Sequence, residues 1–184
     1  MKQQNVLLSA IPKKMWILLG IAFVIRLLIF FRFQPWNPLV IEKQILIFDS
    51  LQYHSLALSI RDHFSFANDA FRTPGYPAFL AIIYTIFGAH PFAGIFVNIF
   101  LNLFSIILIY KIGELLFSER VGFIAAVLFT LDLHHTIFIY YILTETIYTT
   151  IFLAGLYYYI KGLKSNQLNY FFLVGIIYGI SALV

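Results

Sequence analysis

Between Met15 and Phe31 the chain runs for seventeen residues with Arg26 as the single charge. The hydrocarbon core of a bilayer is about 30 Å thick and takes about 20 mostly apolar helical residues to cross. A stretch of this kind therefore reads as a membrane span. Comparable runs place further spans near 91–112 (inside an apolar segment reaching from Pro91 to Phe117), 121–141, 145–160 and 169–184. A run over 76–88 is too short for an upright crossing and reads as a half-spanning or interfacial segment. Charged residues are 11% of the chain and hydrophobic ones 61%. A soluble domain carries about 25% charged residues to hold its surface in water, so lipid is the solvent this surface fits. Inside lipid the backbone must satisfy its own polar groups. The expected fold class is all-α, a polytopic membrane helical bundle.

The first run follows Lys13 and Lys14, the flank of a signal peptide. No small-x-small cleavage site follows it and Arg26 interrupts it, so it reads as an uncleaved span. The last run is still apolar at Val184, with no polar anchor beyond it, which reads as an N-terminal fragment of a longer chain. The chain shows no soluble domain, repeat or low-complexity stretch.

The basic residues sit beside the spans. That is a topology signal rather than a nucleic-acid footprint. With the N-terminus in the cytoplasm, the loop 32–73 lies outside. If 76–88 turns back without crossing, Lys2, Lys13, Lys14, Lys111, Arg120, Lys161 and Lys164 lie inside, against Arg32, Lys43, Arg61 and Arg72 outside. A crossing 76–88 leaves only three inside. The positive-inside rule therefore favours the half-span, and it puts Glu145 on the same side as Asp49. The expected location is a multi-pass protein of the plasma (inner) membrane with its site on the outer face. The absence of Cys excludes disulfides and cysteine-ligated metals.

The outer loop carries most of the chemistry. Glu42, Asp49, Asp62 and Asp69 lie in it beside Lys43, Arg61 and Arg72. Asp49-Ser50-Leu51-Gln52 has the form of a capping box, Asp at N-cap and Gln at N3. After it Tyr53, Leu56, Ala57, Ile60 and Phe64 recur at helical spacing opposite Gln52, Ser55, Ser59 and Asp62, the pattern of an amphipathic helix in the membrane interface. As a bare motif, Asp49 is a helix cap. Arg72-Thr73-Pro74-Gly75-Tyr76-Pro77 reads as a turn into a helix, with Pro74 fixing φ, Gly75 admitting an unusual backbone and Pro77 suiting a first helical turn. Arg72 offers a planar fork for phosphate or carboxylate, or else snorkels to lipid headgroups. Glu145 opens an apolar run, where the helix dipole favours a carboxylate; an acidic group at the membrane face is also a candidate for a site. Arg26 lies within a span at a cost of about 2.5–3.5 kcal/mol on insertion scales and needs a partner, with Asp132 one candidate. His54, His63, His90, His134 and His135 lack zinc-site spacing. Neither a Gly-rich phosphate loop nor a nucleophile elbow is present.

Three pieces in order carry a resemblance: Asp49 with Tyr53-His54 and Leu56-Ala57; Arg72-Thr73-Pro74-Gly75-Tyr76-Pro77 with Phe79-Leu80; and Glu119-Arg120-Val121-Gly122 with Ala125-Ala126, leading to Leu143-Thr144-Glu145-Thr146. Together they resemble the GT-C membrane glycosyltransferases, in the protein-mannosyltransferase and aminoarabinose-transferase branch. The resemblance implies that 1–184 is the N-terminal part of a GT-C transmembrane domain. It implies transfer of a sugar from a polyprenyl-phosphate donor to an acceptor hydroxyl (lipid, polysaccharide or protein) on the outer face, inverting the anomeric centre. It implies Asp49 as the base, Arg72 on the donor phosphate and Glu145 as a second acidic position, with Tyr53 and His54 in the substrate-binding set. The implied partners are the lipid-linked sugar and the bilayer, and no nucleic acid. Some relatives carry paired acids where Asp49 is followed by Ser50, so no cofactor is assigned and a divalent metal is left undecided. Two other readings compete: a transporter or flippase for a lipid-linked or anionic solute, with Arg26, Asp132 and Glu145 lining a pathway, and an inactive truncated fragment.

Overall fold

The computed structural model describes residues 11–66 and 72–184; the sequence assignments on Lys2 and Asp69 lie outside them. Among the described residues the secondary structure is helical throughout. Helix α1 spans Lys13–Phe33. A short helix α2, Pro38–Val40, runs into one π turn, Ile41–Ile45. Then come α3 (Asp49–His63), α4 (Gly75–Phe87), α5 (Pro91–Leu116), α6 (Glu119–Leu131), α7 (Leu133–Phe138), α8 (Glu145–Ser165) and α9 (Leu168–Ser181). Helices α1 and α5 are long and apolar enough to cross a bilayer, with mean hydropathies of 2.2 and 2.4. The 13 residues of α4 extend about 20 Å at 1.5 Å per residue, well short of a bilayer core. The protein is an all-α membrane protein.

Helix α1 shows why. Its inward stripe is Met15, Leu19, Ala22, Arg26 and Phe30, at the three- and four-residue spacing of one helix face. Its other face exposes Trp16, Ile17, Ile21, Val24, Ile25 and Leu28, a continuous apolar surface that water does not tolerate on a monomer.

Helix α5 is the central post, packing on α6 and α8, while α9 packs on α8 and α3 on α4. Gly113 and Gly122 let α5 and α6 meet backbone to backbone: a Cβ on Gly122 would stand 2.4 Å from the Tyr110 carbonyl oxygen. Two apolar clusters result. One joins Ile45, Tyr76, Leu80, Tyr84, Ile95, Ile99 and Ile142. The other joins Met15, Leu19, Ile106, Tyr110 and Ala126. At one end of the bundle Lys14 pairs with Glu119 at 2.8 Å and Lys164 donates to the Leu115 carbonyl. The segment after Phe33 leaves α1 from its opposite end.

Several expectations change in detail. The apolar run 121–141 is broken at Asp132, whose carboxylate accepts from the backbone N–H of His134 at 2.8 Å and so starts a separate short helix. A capping residue inside an apolar run outweighs hydropathy there. Arg26 is not paired with Asp132. It is buried and donates from Nε to Asn102 Oδ1 at 2.8 Å and to the Ala22 carbonyl at 3.2 Å, while Asp132 faces His135 Nδ1 at 2.9 Å. Phe64 leaves the apolar face of α3: it adopts the left-handed conformation at the C-cap and is 95% exposed. Gly75 does not carry a left-handed φ. It is required by a close approach, since its N–H donates to the Leu183 carbonyl at 2.7 Å and a Cβ would stand 2.4 Å from that oxygen.

Candidate functional site

The site is built where α3, the turn before α4, and the irregular segment between α7 and α8 converge. Its first component is the start of α3. Phe48, just before it, has φ 46° and ψ −121°, a region rarely adopted outside glycine that costs about 1–3 kcal/mol. That turn presents Asp49 at the head of the helix. The capping box expected from the sequence does not form: no side chain caps the helix. Both of its polar residues turn instead toward the Arg72 guanidinium, whose planar fork can hold two acceptors at once.

Arg72 is the hub. Its Nη2 donates to Asp49 Oδ1 in an ion pair. Its Nε and Nη2 both donate to Gln52 Oε1, at 3.0 and 2.8 Å. Its guanidinium carbon stands 5.1 Å from the centroid of the Tyr53 ring, within the range of a cation–π contact. Asp49, Gln52 and Tyr53 are thus the first turn of α3 wrapped on one cation. The hydrogen bond to Asp49, with the negative potential of Asp49 and Tyr53 behind it, raises the pKa of Arg72 above its ordinary value. The group is a permanent cation at any physiological pH.

Tyr53 is buried and meets Tyr76 edge to face at 5.0 Å, so it is a floor beneath Arg72. His54 points away from Arg72. Its Nδ1 lies 2.8 Å from the Tyr84 hydroxyl, which ties α3 to α4. Burial first, and the nearby Arg61 charge second, lower the His54 pKa.

Glu145 is the first residue of α8, the position the helix dipole favours. It lines the same open cleft of about 300 Å³ as Asp49, with walls from Phe48, Ile137, Phe138, Tyr141 and Leu143. The structure therefore places Asp49 and Glu145 on one opening with largely apolar walls, and ties Arg72 to it through Asp49. The Tyr141 wall is held by Asn98 of α5, whose side-chain amide donates to the carbonyls of Ile139 at 3.2 Å and Tyr141 at 3.1 Å.

Sequence reasoning missed Gln52 and Asn98. Gln52 carried a signal, misassigned: it stood three residues after Asp49 and read as a capping partner. Asn98, a polar residue within an apolar helix, carried the signal of a buried amide that must bond something, but not what it bonds. Asn102 and His135, the partners of Arg26 and Asp132, line a second, narrow cavity together with Glu145. Among the described residues no group of three or more His, Cys, Asp or Glu is arranged to hold a metal ion.

Residues 71–184 match the family of dolichyl-phosphate-mannose-protein mannosyltransferases. The match takes in Arg72, the Pro74–Pro77 turn and Glu145, and stops short of Asp49. No curated protein and no solved structure matches the chain.

Proposed function

The chain belongs to the dolichyl-phosphate-mannose-protein mannosyltransferase family, and from that premise we propose that it passes a sugar from a polyprenyl-phosphate donor to an acceptor hydroxyl at the outer face of the membrane, with inversion. The observation that carries the reading is the joining of Arg72 to Asp49, with Asp49 and Glu145 lining one cleft. As the bond between sugar and phosphate breaks, negative charge grows on the lipid phosphate. A fixed guanidinium stabilises that charge best at a site partly shielded from water. Arg72 binds Asp49 while the donor is absent. A phosphate arriving at Arg72 competes for the same guanidinium and leaves Asp49 free to accept the acceptor hydroxyl's proton, which requires an approach of about 2.6–3.2 Å. Inversion follows when that hydroxyl attacks the anomeric carbon from the face opposite the leaving phosphate. Glu145 binds sugar or acceptor hydroxyls from across the cleft, and the walls of Phe138 and Tyr141 suit the apolar neighbourhood of a lipid-borne substrate.

The orientation belongs to the same proposal: a multi-pass chain with its N-terminus in the cytoplasm. It is supported by Lys14 and Lys164, which lie at the end of the bundle where α5 meets α6, since the positive-inside rule puts Lys and Arg at the cytoplasmic end. The test is to purify the chain in lipid nanodiscs and present it with a panel of polyprenyl-phosphate sugars, scoring donor hydrolysis and transfer. Turnover of at least one donor that vanishes in Arg72→Ala is the expected result. Solute uptake into vesicles without any sugar transfer would instead establish the transporter reading.

A further inference from the structure

We propose that Gln52 is a positioning residue that fixes the Arg72 guanidinium so that its remaining edge meets the donor phosphate; this rests on the reading of Arg72 as the phosphate ligand. Arg72 has five N–H donors in a rigid fork. Gln52 Oε1 takes the Nε proton and one Nη2 proton, and Asp49 accepts from Nη2 as well. The edge bearing Nε and Nη2 is therefore occupied. The Tyr53 ring under the guanidinium plane restricts its tilt. When a phosphate displaces Asp49 from Arg72, the two bonds to Gln52 and the ring remain. They hold the fork in place while its partner changes from a carboxylate to a phosphate. A neutral amide suits that task. A second carboxylate at position 52 would compete with the phosphate, and an apolar residue would release the fork to rotate.

The probes are decaprenyl phosphate and decaprenol, which share a tail and differ in the phosphate. Binding of each to the purified full chain is measured by native mass spectrometry for wild type, Gln52→Met, Arg72→Met and the double variant. Thermal unfolding confirms that each variant is folded. The quantity read is the preference for the phosphate over the alcohol. Gln52→Met is expected to lower it about tenfold, the scale of losing hydrogen bonds to a charged group, and to leave decaprenol binding unchanged. In the Arg72→Met background, Gln52→Met is expected to do nothing further, which a merely structural role for Gln52 would not produce. If Arg72→Met keeps the full phosphate preference, Arg72 is not the phosphate ligand and the functional reading itself fails. If Arg72→Met abolishes the preference while Gln52→Met retains it, or if the two losses simply add, the inference about Gln52 is overturned and Arg72 keeps its role.

Discussion

Asp49→Asn tests the proposed proton transfer apart from the contact that Asp49 makes with Arg72. Asparagine has nearly the same shape and keeps a carbonyl oxygen where Asp49 Oδ1 accepts from Arg72, so the hub of the site stays assembled. The carboxylate is 52% exposed, and an ion pair that open to water is worth about 0–1 kcal/mol of stability. Thermal unfolding in detergent should therefore move little. Catalysis should move far more. A positioned general base contributes about 10²–10⁴ in rate, which at about 1.4 kcal/mol per decade is about 3–6 kcal/mol of barrier. The assay is transfer from the best polyprenyl-phosphate sugar found by screening, with kcat and KM measured separately. The expected result is a fall of at least a hundredfold in kcat with a donor KM no higher than that of wild type, since Arg72 remains in place and loses a charged competitor. A folded Asp49→Asn protein that keeps more than about a tenth of wild-type kcat would refute Asp49 as the base.

Four further outcomes follow from the geometry. Gly122→Ala forces a methyl group into the Tyr110 carbonyl and should cost about 1–3 kcal/mol, read as a lowered unfolding temperature; an unchanged value would mean that α5 and α6 can part freely. Asn102→Leu strips Arg26 of its Nε partner and should cost about 1.5–3 kcal/mol, measured by unfolding in urea or SDS, whereas a neutral result would show that another group satisfies Arg26. His54 has a pKa below its ordinary value of 6.5, so the folded state binds its proton less readily than the unfolded state does. Its contribution is complete above about pH 6.5 and is lost as pH falls through the lowered folded value; His54→Leu should lose less unfolding temperature than wild type between pH 7.5 and pH 5, and equal slopes would exclude His54 as the source. The chain has no Cys, so single cysteines report topology cleanly: Ser55→Cys should react with an impermeant maleimide added outside intact cells and Gln167→Cys only after lysis, and the reverse pattern would invert the orientation.

The helical membrane architecture was legible because it rests on bulk physics: long apolar runs with charges set between them admit few folds. The approach of Asp49 to Arg72 was legible only through the resemblance, since nothing in local spacing says that residues 23 apart will meet. Local rules misread the same place. Asp49 and Gln52 satisfy the pattern of a capping box, yet both bond a cation carried by the turn before α4. Hydropathy misread Asp132, because averaging over a window hides one strong capping residue. It also left the partner of Arg26 undecided: charge matching pointed to Asp132, whereas the buried guanidinium found the amide of Asn102 on the central helix. The cleft wall escaped for a similar reason. Asn98 holds Tyr141 by backbone carbonyls of an irregular segment, and side-chain patterns carry no record of carbonyls left unpaired by a broken helix.

The most direct test of the central claim is a cryo-EM structure of the chain in nanodiscs with a non-hydrolysable polyprenyl-phosphonate sugar bound. The account predicts phosphonate density on the Arg72 guanidinium and the sugar ring between Asp49 and Glu145. Density for the headgroup at the opposite end of the bundle, beside Lys14 and Lys164, would contradict it.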